Sequence, residues 1–155
     1  MRGLFVLLAV AASLLLFAAP ALAQPPTNVT INEQGLVETF VDVLPTCEEG
    51  APLYTITLTS NFVEHETAFN DGRVHGTFTQ TGKFSAVPLA NPSLPSYTGT
   101  VTIWGGFNQN ATTVNGTFTF NVQGTGSDGS KLSNHLVDHF NERPDGTVNQ
   151  FFRCH

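Results

Sequence analysis

Basic residues are scarce in this chain: six Lys and Arg stand against twelve Asp and Glu in 155 residues, a formal net charge of −6. A protein that grips nucleic acid or an anionic lipid surface needs a basic face, so this balance excludes both partners. Cysteine is scarcer still. Cys47 and Cys154 are the only two, which rules out a zinc-type Cys/His cluster of the usual spacing. A nucleophile elbow, a phosphate loop and a dinucleotide fingerprint are all missing, and no cofactor is implied. Beyond residue 23 no segment approaches the roughly 20 continuous apolar residues of a membrane-spanning helix.

Such an apolar run appears only at the start, where it reads as an export signal. Arg2 supplies a short positive region, Leu4 to Ala19 carries no charge, and Ala21-Leu22-Ala23 forms a small-x-small cleavage site before Gln24. Pro20 ends the apolar segment too early for a comfortable span. Residues 1–23 are therefore expected to be removed, leaving residues 24–155 as a single domain that is secreted, extracellular or periplasmic. Loss of Arg2 leaves five basic residues against twelve acidic ones, a net charge of −7. In an oxidising compartment Cys47 and Cys154 are expected to pair. Closing so long a loop would stabilise the fold by about 4–5 kcal/mol on the chain-entropy account.

The exported part is rich in Thr, Gly, Phe and Val, and most segments alternate apolar with polar residues, the period of a half-buried strand. Thr117-Phe118-Thr119-Phe120-Asn121-Val122 is the clearest case. Asn70-Asp71-Gly72, Ser127-Asp128-Gly129 and Pro144-Asp145-Gly146 each place Gly third, as a type I turn followed by a left-handed residue requires. Three-residue loops dictate register. They set Phe69 opposite Arg73, Phe120 opposite Leu136 and Phe140 opposite Gln150. Leu58, Phe62, Val74, Phe78 and Phe84 then share one face.

About eight strands result, near 27–32, 36–44, 52–68, 73–87, 97–107, 113–124, 131–141 and 147–154. The expected fold is all-β, an antiparallel up-and-down barrel whose first and last strands meet antiparallel. A two-sheet β-sandwich is the alternative, because period-2 patterning fits either. In the meander the 45–51 loop and the end of the last strand lie at one end, so Cys47 can meet Cys154. Residues 131–141 also admit a helix, with Leu132, Leu136 and Phe140 at i, i+4 and i+8. The register match with Phe120 favours strand.

The end opposite the cysteines collects the residues able to do chemistry. Glu64, Glu66 and Asp138 occupy positions that alternate with Phe62, Leu136 and Phe140, which points them inward, where a raised pKa would suit acid–base work. His65 falls opposite Thr77 and His75 opposite Thr67, diagonal neighbours that could assist catalysis or share a metal ion. Equally, they could stand as polar residues on a Thr-rich solvated face. His135 and His139 would bind one metal only if their segment were helical. Trp104-Gly105-Gly106 reads as a bulge or bend, or as a gap where a ligand stacks on the indole, within a turn spanning Trp104 to Asn110. Asn28, Asn110 and Asn115 begin Asn-x-Thr glycosylation patterns.

This architecture resembles the eight-stranded barrels of lipocalins and of allene-oxide-cyclase-like and dirigent proteins, in fold alone. The Gly-x-Trp motif of the lipocalin first strand has no counterpart, and no functional residue carries over. Three roles follow from the residues. The first is a non-enzymatic scaffold, packed or holding a small apolar ligand on Phe62, Phe78, Trp104, Phe118 and Phe120. The second is a cofactor-free isomerase, cyclase or hydrolase using the carboxylates. The third is a surface interaction module built on the Thr-rich face or on an apolar patch around Trp104.

Overall fold

Alternation of Val, Ile, Phe and Tyr with Thr builds seven long strands in the computed structural model, which describes residues 25–44 and 47–154. The expected leader, residues 1–23, lies outside the described residues. The strands are β1 (Thr27–Val43), β2 (Leu53–Ala68), β3 (Val74–Pro88), β4 (Tyr97–Gln109), β5 (Val114–Gly126), β6 (Lys131–Glu142) and β7 (Val148–Cys154). They form one antiparallel meander in chain order. A single sheet rules out the two-sheet sandwich. Residues 131–142 are strand, paired through Phe120 and Leu136 as the turn register demands.

Seven strands replace the expected eight because the first two are one. Glu33 pairs with Phe62 and Leu36 with Ser60, so Gln34 and Gly35 together oppose Asn61 alone. This is a β-bulge. Gly35 takes φ +67°, and its N–H donates to Asn61 Oδ1 at 3.0 Å. The extra residue shifts the alternation by one, so Ile31 before the bulge and Leu36, Glu38 and Phe40 after it all face the same side. In sequence that shift imitates a chain reversal. With an odd strand count β1 and β7 run parallel, not antiparallel, and no hydrogen-bond ladder joins them among the described residues. The sheet is therefore not a hydrogen-bonded barrel.

It is nevertheless curled. Laid flat, β1 and β7 would lie six strand spacings of ~4.8 Å apart, about 29 Å. Cys47, in the β1–β2 loop, and Cys154, at the end of β7, have Cα atoms 5.7 Å apart and form a disulfide. The three Asp-Gly turns share one geometry. Gly72, Gly129 and Gly146 sit at φ +82°, +86° and +78°. In each turn the aspartate accepts a backbone N–H two residues on, from Arg73, Ser130 and Thr147.

The concave face is divided along the strands. Towards the disulfide end, Leu44, Tyr54, Ile56, Leu58, Phe84, Ala86, Tyr97, Val101 and Leu132 form one buried cluster. Tyr54 anchors it, packing edge-on against Tyr97 and donating its hydroxyl to Pro95 O at 3.1 Å. Towards the far end the same face carries aromatic rings set against glycines. Phe107 lies between Gly76 and Gly116, with Phe140 on the other side of Gly116, and Gly105 lies between Phe78 and Phe118. The missing Cβ atoms give the rings their room: Phe107 covers Gly76, Phe118 covers Gly105 and Phe140 covers Gly116.

Candidate concave aromatic site

Ring contacts cross the far half of the concave face from β2 to β6. Phe62 and Phe78 have centroids 5.8 Å apart, Phe78 and Phe118 5.4 Å, and Phe118 and Phe140 5.4 Å in a stacked arrangement. Phe120 and Ile103 lie one level nearer the disulfide end. All of these side chains remain only partly buried, in contrast to the cluster beyond them. Four of the five residues expected to line a ligand site, Phe62, Phe78, Phe118 and Phe120, are thus brought together. Phe140, Phe107 and Ile103 join them, and the period-2 pattern alone could have named all three.

Trp104 does not belong to this wall. It pairs with Thr79 and Thr119 on the opposite, Thr-rich face, 39% exposed, with its ring 6.2 Å from that of His135. The reason is parity: Ile103 faces inward, so its neighbour faces out. Trp104 to Gln109 are strand rather than turn. The reversal is Asn110 to Thr113, closed by Asn110 Oδ1 accepting from the N–H groups of Thr112 and Thr113 at 2.9 Å each.

Glu64, Glu66 and Asp138 do face inward, and two of them are deeply buried: Glu64 is 8% exposed and Asp138 7%. They occupy one level of the sheet, Glu64 opposite Phe78 and Asp138 opposite Phe118. Their surroundings differ. Both Asp138 oxygens accept from Gln150 Nε2, at 3.0 and 2.9 Å. Another inward carboxylate, Glu38, accepts from Gln80 Nε2 at 2.8 Å, and the same amide also reaches Ser60 Oγ. Glu64 has no hydrogen-bond or ion-pair partner among the described residues. Burial pushes its carboxyl above the ordinary carboxylate value, and the nearby charge of Glu66 adds to the effect.

The histidines stand on the other side of the sheet. His65 pairs with Thr77 and His75 with Thr67 as the turn register requires. Each leans on a neighbour instead of on its twin: His65 Nδ1 lies 2.9 Å from Thr30 Oγ1, and His75 Nδ1 2.8 Å from Asn108 Oδ1. Among the described residues no group of three or more His, Cys, Asp and Glu is placed to hold a metal ion. His135 and His139 lie along strand β6, where residues four apart are about 13 Å distant. His139 Nδ1 is 2.7 Å from Thr117 Oγ1. Because Glu64, His65 and Glu66 alternate across the sheet, the structure does not bring the carboxylates and imidazoles together, as shared acid–base work would need.

The outer face carries little relief. A shallow, open depression of about 510 Å³ runs over Thr98, Thr100, Gln123, Thr125 and Lys131. The exposed apolar side chains of this face are spread over the sheet, Val37, Val41, Leu53 and Val87 on the first three strands and Phe151 on β7, and do not gather around Trp104. No family model, curated protein or solved structure matches the chain in sequence or in fold.

Proposed function

We propose that this is an exported, non-enzymatic binding protein that holds a small, largely apolar molecule on its concave aromatic wall. The observation that carries the reading is the division of one face into two halves. A packed core closes the disulfide end, whereas five phenyl rings, Phe62, Phe78, Phe118, Phe120 and Phe140, stay partly exposed at the other. Apolar rings left accessible on a concave surface gain by covering, at roughly 25 cal/mol per Å² removed from water. Two cysteines joined across the fold suit the oxidising compartment to which a leader such as residues 1–23 would direct the chain.

The test is titration with Nile red, a neutral apolar dye whose emission shifts to the blue when it leaves water. Saturable binding at one site per chain is expected, weakened at least tenfold in the Phe78→Ala/Phe118→Ala variant and unchanged in Trp104→Ala. Circular dichroism and an intact disulfide would show that the variants fold. Absence of a saturable blue shift, or equal loss in Trp104→Ala, would overturn the reading. Native mass spectrometry of protein purified without added ligand, compared with the denatured unreduced chain, would give the mass of any molecule retained.

A further inference from the structure

Charge on the sheet is sorted by sign. Every acidic residue within the seven strands, Glu33, Glu38, Asp42, Glu64, Glu66, Asp138 and Glu142, pairs in register with the inward-facing set. Every basic or imidazole side chain within them faces out: His65, His75, Lys83, Lys131, His135, His139 and Arg153. The remaining described cations, Arg73 and Arg143, lie in turns. A concave surface lined by one sign of charge, with low-dielectric aromatic walls, focuses its field into the cup. Phenyl faces carry negative quadrupole density and favour the same sign of guest.

Within that field Glu64 is the most enclosed of the carboxylates that no protein donor meets. Glu38 and Asp138 receive amide donors from Gln80 and Gln150. Glu64 is more than nine-tenths buried, stands directly across from Phe78 on the aromatic wall, and has no donor among the described residues. No fully buried side-chain oxygen among the described residues lacks a partner, so the Glu64 carboxylate still touches the solvent of the cup, where a guest can reach it.

We propose that the molecule held on the wall is an amphiphilic cation, its apolar body lying along the Phe62–Phe78–Phe118–Phe140 row and its protonated amine delivered to Glu64. This rests on the apolar-ligand reading above and specifies it. A neutral apolar ligand seated there would displace water from Glu64 without replacing its hydrogen bonds, and an anion would meet repulsion from every charged group of the concave face. A bare metal ion finds no three-ligand cluster among the described residues.

Three probes of one shape and three charges test it: 4-phenylbutylammonium, 4-phenylbutanol and 4-phenylbutyrate, titrated calorimetrically at pH 7.5 and low salt. The ammonium is expected to bind at least tenfold more tightly than the alcohol, about 1.4 kcal/mol, and the carboxylate not measurably. Glu64→Gln is expected to reduce the ammonium-to-alcohol ratio to about one, and Glu66→Gln to lower it about threefold. Raised salt should weaken the ammonium alone. Equal binding of all three probes, or a ratio that survives Glu64→Gln, would overturn the cation while leaving the apolar wall standing. Failure of every probe together with silence from Nile red would remove both.

Discussion

The ring of Phe140 lies over the α-carbon of Gly116, so close that a Cβ built there would stand 2.7 Å from Phe140 Cε1. Gly116→Ala must therefore displace the ring or the backbone, and it should destabilise by about 1–3 kcal/mol, the usual range for overpacking. Phe140→Leu alone loses ring contacts with Phe118. Placed in the Gly116→Ala background it should cost less than it does alone, because the smaller side chain makes room for the new methyl. Urea denaturation of the four members of this cycle measures the coupling, and strict additivity would mean that ring and glycine are not complementary.

Cys47 and Cys154 clamp opposite edges of the sheet, 107 residues apart in sequence, where no hydrogen-bond ladder joins β1 to β7 among the described residues. The double variant Cys47→Ser/Cys154→Ser should lose about 4–5 kcal/mol, the loop-entropy value for a closure of this size. The loss should be matched by adding reductant to the native chain and absent when reductant is added to the variant. Thermal melts under the four conditions check this, and a variant as stable as the native chain would show that the curl is held by the core cluster alone.

Much of this arrangement is legible in the sequence because two independent signals agree. Asp-Gly turns determine which residues oppose one another, and alternation determines which face they occupy. Together they yield the pairs His65 with Thr77, Phe120 with Leu136 and Phe140 with Gln150, all present in the structure. Leu132, Leu136 and Phe140, at helical spacing, are equally at strand spacing, since four residues is two periods of two. The bulge at Gln34 and Gly35 interrupts the alternation without reversing the chain, and so reads as a turn between two strands. Trp104 suits a ligand wall by its chemistry, but the parity of Ile103 turns it to the other face. The bond from Gln80 to Glu38 spans β2, a relationship between strands two apart that hairpin register alone does not reach.

Titration should separate the concave carboxyl from those of the turns, because their shifts have opposite sign. Glu64 is raised above 4.5 by burial first and by Glu66 second. The folded state thus binds its proton more tightly than the unfolded chain, and stability is lost as pH rises from 4.5 through the raised value. Asp71 and Asp145 are lowered below 3.8 chiefly by the backbone N–H groups of Arg73 and Thr147, and Asp128 by Ser130. Their contribution is complete above 3.8 and disappears as pH falls through the lowered values. Glu64→Gln should accordingly stabilise the chain at pH 7, by less than about 1 kcal/mol because the carboxylate oxygens still reach water. The advantage should shrink as pH falls and vanish by pH 3, well below 4.5, where the carboxyl is protonated in both states. Asp145→Asn should do the reverse: it weakens the chain at pH 7 and costs progressively less below pH 3.8. Urea midpoints of the two variants against the native chain from pH 3 to pH 8 test both signs, and a Glu64→Gln advantage undiminished at pH 3 would mean that packing, not charge, sets the cost of burying Glu64.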